Sequence, residues 1–210
     1  MAIIKQGILG GFSGKVGSVC GTSWKGIGVM KSLPLSVANP RTTGQVTQRN
    51  AMSSVVLLAK LLLGSLIKIL WDRFAVKMSG FNAFVQANIK CFVGTIFTTP
   101  ESFIISQGKM SNTNIFAATG VVGGTTITVV WNTSNTDNFQ TASDRTYIVI
   151  LDQSANVIAS SFDESNRGEG TMLLVTSTLI AGTGYYAYLA FKRLDGSIVS
   201  NTSYLPVTLS

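Results

Sequence analysis

The sequence predicts an α+β protein in three parts: a Gly-rich extended N-terminal arm or hairpin, an apolar helical segment, and a C-terminal immunoglobulin/fibronectin-like β-sandwich. Three observations carry this reading. Residues 1–33 hold eight glycines within a loose two-residue alternation; residues 55–71 form a nearly unbroken apolar run; and from Thr98 onward short β-branched or aromatic runs recur between turn signals. The segment boundaries are 1–38, 39–97 and 98–210.

In the arm, the alternation from Lys15 to Lys31 predicts strands, with a hairpin turning near Gly21-Thr22. Glycine weakens a strand unless another backbone comes close, so the arm reads as an element ordered by adding strands to a neighbouring subunit. A phosphate-cradling loop competes with this reading. Gly10-Gly11-Phe12-Ser13-Gly14-Lys15, however, lacks the GxxxxGK[ST] spacing such a loop needs.

Asn39-Pro40 bars helix immediately before it, and Thr42 or Thr43 can cap a helix starting just after it. The run from Val55 to Trp71 is then a helix on which Lys60, Gly64, Lys68 and Asp72 recur every fourth residue as one narrow polar stripe. So apolar a cylinder must be buried on most sides, in a bundle within or between subunits, and Val55, Leu58, Leu62, Leu66, Leu70 and Trp71 are the candidate oligomer contacts. No bilayer span is expected, because Lys60 and Lys68 interrupt the run. After Gly80, a second short helix over 81–88 is expected to dock Phe81, Phe84 and Val85.

Seven strands are expected in the last part, over 102–106, 125–131, 146–152, 157–161, 171–177, 185–193 and 198–205. Between them lie Gly123-Gly124, Asp152-Gln153-Ser154, Asn166-Arg167-Gly168, Ala181-Gly182-Thr183-Gly184 and Asp195-Gly196, the last being the clearest hairpin signal. Trp131 reads as a core anchor. A corner tyrosine is expected among Tyr185, Tyr186 and Tyr188.

Charge divides the chain at about residue 100. The first 100 residues carry eleven Lys and Arg against one acid, Asp72, while the remainder is net negative, giving +7 in all. Surface charge is free to vary where only a fold must be satisfied, so this purge of acids implies an anionic partner. Lys15, Lys25, Lys31, Arg41 and Arg49 are the candidate phosphate or partner contacts, with Trp24 a possible stacking platform. Only 12% of residues are charged, which suits a surface covered by other subunits.

The inventory for catalysis is sparse. The chain has no histidine and only two cysteines, Cys20 and Cys91, which read as reduced thiols of a cytosolically made protein. The acids after Glu101 fall mostly at expected turns, and Asp163-Glu164 reads as a solvated loop pair. No enzyme, metal, cofactor or small-molecule substrate is therefore expected. Residues 1–14 lack the apolar core of a secretory signal, so the Asn132-Thr133-Ser134 and Asn201-Thr202-Ser203 acceptor patterns carry no meaning.

Five elements resemble a family of no established activity seen in Bacteroidetes bacteria and in their phages and prophages. They are Gly10-Gly11-Phe12-Ser13-Gly14-Lys15-Val16-Gly17, Ser23-Trp24-Lys25-Gly26-Ile27, Asn39-Pro40-Arg41-Thr42 with Gln45, Gln48 and Arg49, Gly80-Phe81-Asn82-Ala83-Phe84, and Val199-Ser200-Asn201 with Ser203 and Tyr204. The resemblance implies a phage link and supplies no catalytic residue. Together these readings make the expected function that of a phage virion structural protein. It would be homo-oligomeric, made in the bacterial cytoplasm, with its basic half facing DNA or an acidic virion neighbour. The alternatives are a surface or adhesive binding module and a soluble non-specific nucleic-acid-binding protein.

Overall fold

A computed structural model describes residues 2–3, 12–36, 38–111, 116–134 and 137–210. The chain forms two compact units, Met1–Arg41 and Thr42–Ser210. The helical residues belong to the same unit as the sandwich strands.

The first unit is an antiparallel sheet in the order β1-β4-β3-β2, built from β1 (Ala2–Ile3), β2 (Gly14–Val16), β3 (Val19–Trp24) and β4 (Ile27–Ser32). The turn expected at Gly21-Thr22 is absent. Instead the chain reverses at Gly17-Ser18 and at Lys25-Gly26, because a two-residue hairpin turn needs positive φ. Gly17, Lys25 and Gly26 supply it, at φ of 57°, 50° and 80°. Gly21 lies mid-strand, where a Cβ would come within 2.7 Å of the Phe12 ring. Close approach, not turning, requires that glycine.

In the second unit α1 (Thr43–Leu61) starts at Thr42, whose side chain makes no capping bond. The single straight helix expected over Val55–Trp71 is broken. After Leu62 a π-turn spans Leu63–Ile67, with Ile67 N–H donating to Leu62 O at 3.0 Å, and α2 (Lys68–Leu70) comes next. The two arms meet at 68°, a bend of the kind π-turns produce. No single described helix is long and apolar enough to cross a membrane. Past the bend, Asp72 accepts the Gly80 N–H at 2.8 Å and so joins this helix to α3 (Gly80–Asn88), capped by Ser79. A short hairpin comes after α3, β5 (Phe92–Val93) with β6 (Ile96–Phe97).

The remaining strands make two four-stranded sheets. One runs β10-β9-β12-β13, from β9 (Arg145–Asp152), β10 (Val157–Asn166), β12 (Tyr185–Lys192) and β13 (Ser203–Pro206). The other runs β11-β8-β7-β14, from β7 (Phe116–Gly120), β8 (Thr126–Trp131), β11 (Thr171–Val175) and β14 (Thr208–Leu209). The first sheet is covered on both faces. Ile148, Ile150, Ala187, Leu189 and Phe191 pack with Ile127, Val129 and Trp131 of the second sheet. Tyr147, Val149, Leu151, Tyr188 and Ala190 pack with the helices. The result is three layers: helices, sheet, sheet.

Several expected strands shift. Residues 102–106 form no strand despite their composition. Their backbone is held by side chains instead: Ile104 by Asn88, Ile105 and Ser106 by Thr202, and Ile105 O by the Trp71 indole N–H at 2.8 Å. The strand expected over 198–205 is reduced to Ser203–Pro206, with isolated bridges at Val199 and Ser200. Asp163-Glu164 lies inside β10, at an irregular stretch between Phe162 and Asn166, rather than in a loop. Strands β7 and β14 have no counterpart among the seven expected. Among Tyr185, Tyr186 and Tyr188, it is the Tyr185 hydroxyl that accepts a backbone N–H, that of Ile180 at 3.1 Å.

Candidate polyanion-docking surface

The residues expected to bind anions divide between the two units. Lys15, Lys25, Lys31 and Arg41 belong to the first, and Arg49 is exposed on α1 of the second. Within the first unit the strand register settles what shares a face. Lys15 lies opposite Cys20, and Cys20 opposite Lys31. Side chains alternate along a strand, so Thr22 and Trp24 of β3, and Ile27 and Val29 of β4, project to the same side as this row. One face therefore carries two lysines two strands apart, about 10 Å by the spacing of adjacent strands, beside an aromatic and aliphatic strip.

At the end of that strip Trp24 is 62% exposed. Its neighbour Lys25, turned by its positive φ, sets its ammonium 5.1 Å from the Trp24 ring centroid. An open depression of about 390 Å³ is lined by Thr22, Ser23, Trp24, Val29 and Lys31. The first 41 residues contain five cations and no acid. Among the described residues every ion pair lies after residue 143: Arg145–Asp163, Arg167–Asp144 and Arg193–Asp195. The lysines of this sheet are thus not matched by carboxylates of the described chain. Arg41 comes directly after Pro40, outside the strands, and joins no described face.

The expected oligomer contacts require correction. Val55, Leu58, Leu62, Leu66, Leu70 and Trp71 are all buried in the core between the helices and the first sandwich sheet. The π-turn bend carries the last three against α3, where Trp71 and Phe84 meet edge-on at 5.7 Å. Buried side chains have no surface left for another subunit. The exposed apolar residues of α1 are Val46, Met52, Leu57 and Leu61, none of them among the expected contacts.

Cys91 lies in that core, and burial pushes its thiol up from its ordinary value, with a Thr99 hydrogen bond opposing. Among the described residues no cluster of three or more His, Cys, Asp or Glu is placed to hold a metal ion.

Two features are not among the sequence expectations. The Lys25-Gly26 turn was legible in principle, since a basic residue and glycine separate Trp24 from Ile27 by the two positions a tight hairpin needs. The buried pair Arg167–Asp144 had no such signal, because nothing local to Asn166-Arg167-Gly168 distinguishes it from a surface turn.

A family model described as "Family of unknown function (DUF6266)" matches residues 11–206. No curated protein matches the chain. Among solved structures it is similar to one titled "Myokine structure" (13% identity, 46% of this chain and 96% of that one, TM-score 0.32). It is also similar to CopC from Methylosinus trichosporium OB3b (14%, 50% and 94%, TM-score 0.29). A third is the fibronectin type-III domain of human fibronectin type III domain containing protein 3 (11%, 49% and 92%, TM-score 0.30).

Proposed function

The chain belongs to DUF6266, a family of unknown function, and we propose that it is a docking and assembly protein whose N-terminal sheet grips a polyanion, specifically nucleic acid. The observation that carries this reading is the single sheet face on which Lys15 and Lys31 flank Cys20 beside the exposed Trp24. Lysines without carboxylate partners release counterions when they meet phosphates. An exposed indole offers a stacking surface to any base, which an acidic protein would not use. This combination tracks a strand without reading its sequence.

The helical layer and the two sheets of the second unit read as scaffold. For the sandwich, the immunoglobulin/fibronectin-like assignment is supported by its strand order and by the Tyr185 hydroxyl bond at the turn into β12. We place the protein in a phage particle on the strength of its resemblance to the family seen in Bacteroidetes and their phages. Mass spectrometry of particles from an encoding host is the check, and absence from every particle would remove that setting.

The docking itself is tested with the full chain and single-stranded oligothymidylate. Trp71 and Trp131 are buried, so quenching of the exposed indole reports on Trp24. Binding should quench it and weaken linearly in log salt concentration. The double variant K15A/K31A should bind roughly tenfold more weakly, by loss of about two phosphate contacts, with a shallower salt slope. Binding to polyglutamate without quenching would shift the partner to acidic protein. No binding to any polyanion at low salt would overturn the proposal.

A further inference from the structure

Three of the four edges of the sandwich carry devices that discourage pairing. Strand β10 is irregular at two places and bears Asp163 and Glu164; β13 is four residues long and ends in Pro206; β14 has two residues. The fourth edge, β11, has none. Its five residues, Thr-Met-Leu-Leu-Val, pair with β8 in unbroken register and include no charge and no proline.

The hydrogen-bond phase of this edge is fixed by its two ends. Trp131 N–H donates to Gly170 O at 2.9 Å, and Thr176 N–H donates to Thr125 O at 2.8 Å. Residues 170, 172, 174 and 176 therefore face β8, and antiparallel alternation turns the N–H and C=O of Thr171, Leu173 and Val175 outward. The side chains of the same residues are exposed on the outer face, Leu173 by 59% and Val175 by 77%. Outward backbone groups and outward apolar side chains coincide on one strand.

We propose that β11 is the seam of a homodimer, pairing antiparallel with β11 of a second copy about a two-fold axis midway between the two Leu173 residues. In that register Leu173 faces its own counterpart, Thr171 faces Val175, and each pair exchanges both N–H···O bonds. Charge argues for a second copy. Strands β7, β8, β11 and β14 contain no charged residue at all, on a chain of net +7. This is a sheet where two copies meet without like-charge repulsion. A two-fold pairing also consumes both open edges and closes the assembly, which a heterologous contact would not. The seam is independent of the N-terminal sheet and of its proposed ligand.

Light scattering after size exclusion, on the full chain without polyanion, should show a concentration-dependent approach to twice 22.3 kDa. In the dimer, amide exchange at Leu173 and Val175 should slow at least tenfold relative to dilute protein, with Met172 unchanged. Leu173→Lys should be monomeric at every concentration. Leu173→Pro, which removes only an outward N–H and so suits an edge position, should also be monomeric while melting as dilute, monomeric wild type does. K15A/K31A should dimerise as wild type does, which separates this proposal from the polyanion reading. A wild-type monomer at high concentration would overturn the seam, and so would a dimer whose Leu173 amide exchanges at the dilute rate or that survives Leu173→Lys.

Discussion

At the residue scale the most constrained group is Arg167, fully buried and 3.1 Å from an equally buried Asp144. Its guanidinium lies 3.8 Å from the centroid of the Phe191 ring, and Nη2 approaches Met110 Sδ, while Nη1 has no hydrogen-bond partner. Burial lowers its pKa, and Asp144 works against that shift by hydrogen bond and charge. The two partners are not equally dependent. Asp144 also accepts Thr141 N–H at 2.9 Å and Thr141 Oγ1–H at 2.6 Å, whereas Arg167 has no other carboxylate. Asp144→Ala strands a buried cation and should cost about 3–5 kcal/mol. Arg167→Met leaves Asp144 with its Thr141 donors and should cost less. Urea unfolding of the two variants orders them, and the reverse order would refute this account of the pair.

At the scale of elements, the joint between α2 and α3 shows how a recognisable motif serves packing. Gly80 opens the Gly80-Phe81-Asn82-Ala83-Phe84 stretch, and a Cβ there would lie 2.6 Å from the Asp72 backbone nitrogen. Asp72, the one acid of the first 100 residues, is held against that glycine by the Gly80 N–H. Phe84 then closes an aromatic chain with Trp71 and Phe103, which continues to Tyr188 of the central sheet. Gly80→Ala should push the two helices apart and lower stability by about 1–3 kcal/mol, the usual cost of overpacking. Thermal melts of this variant beside Gly64→Ala provide the check. Gly64 has open space at its Cβ position, so the second change should be neutral or stabilising.

At the scale of the whole molecule, both apolar cores are built entirely from residues 51 onward. The chain from Thr42 to Ser210 should therefore fold cooperatively by itself, with near-ultraviolet circular dichroism matching that of the full protein beyond the Trp24 contribution. Loss of fixed tertiary signal in that fragment would show that the first unit is needed for folding. The same fragment should still dimerise through β11, and it should lose the polyanion binding assigned to Lys15 and Lys31.

Strands β8 to β12 were legible from β-branched runs and turn residues, because burial against a second sheet imposes them locally. The unbroken apolar runs Tyr147–Leu151 and Tyr185–Phe191 also carried the sign of a sheet covered on both faces, since a half-exposed strand alternates. The charge split and the face shared by Lys15, Trp24 and Lys31 likewise come from the sequence once the two hairpin turns are located. Where the apolar helix goes was decided only in three dimensions. Its composition demands burial but names no partner, and a π-turn at Leu63–Ile67 directed it onto the chain's own sheet. Residues 102–106 make the same point: strand-like composition gave way to side chains of Asn88 and Thr202, distant in sequence, that satisfied the backbone first. Local pattern sets which surfaces must be buried, and only long-range packing determines against what.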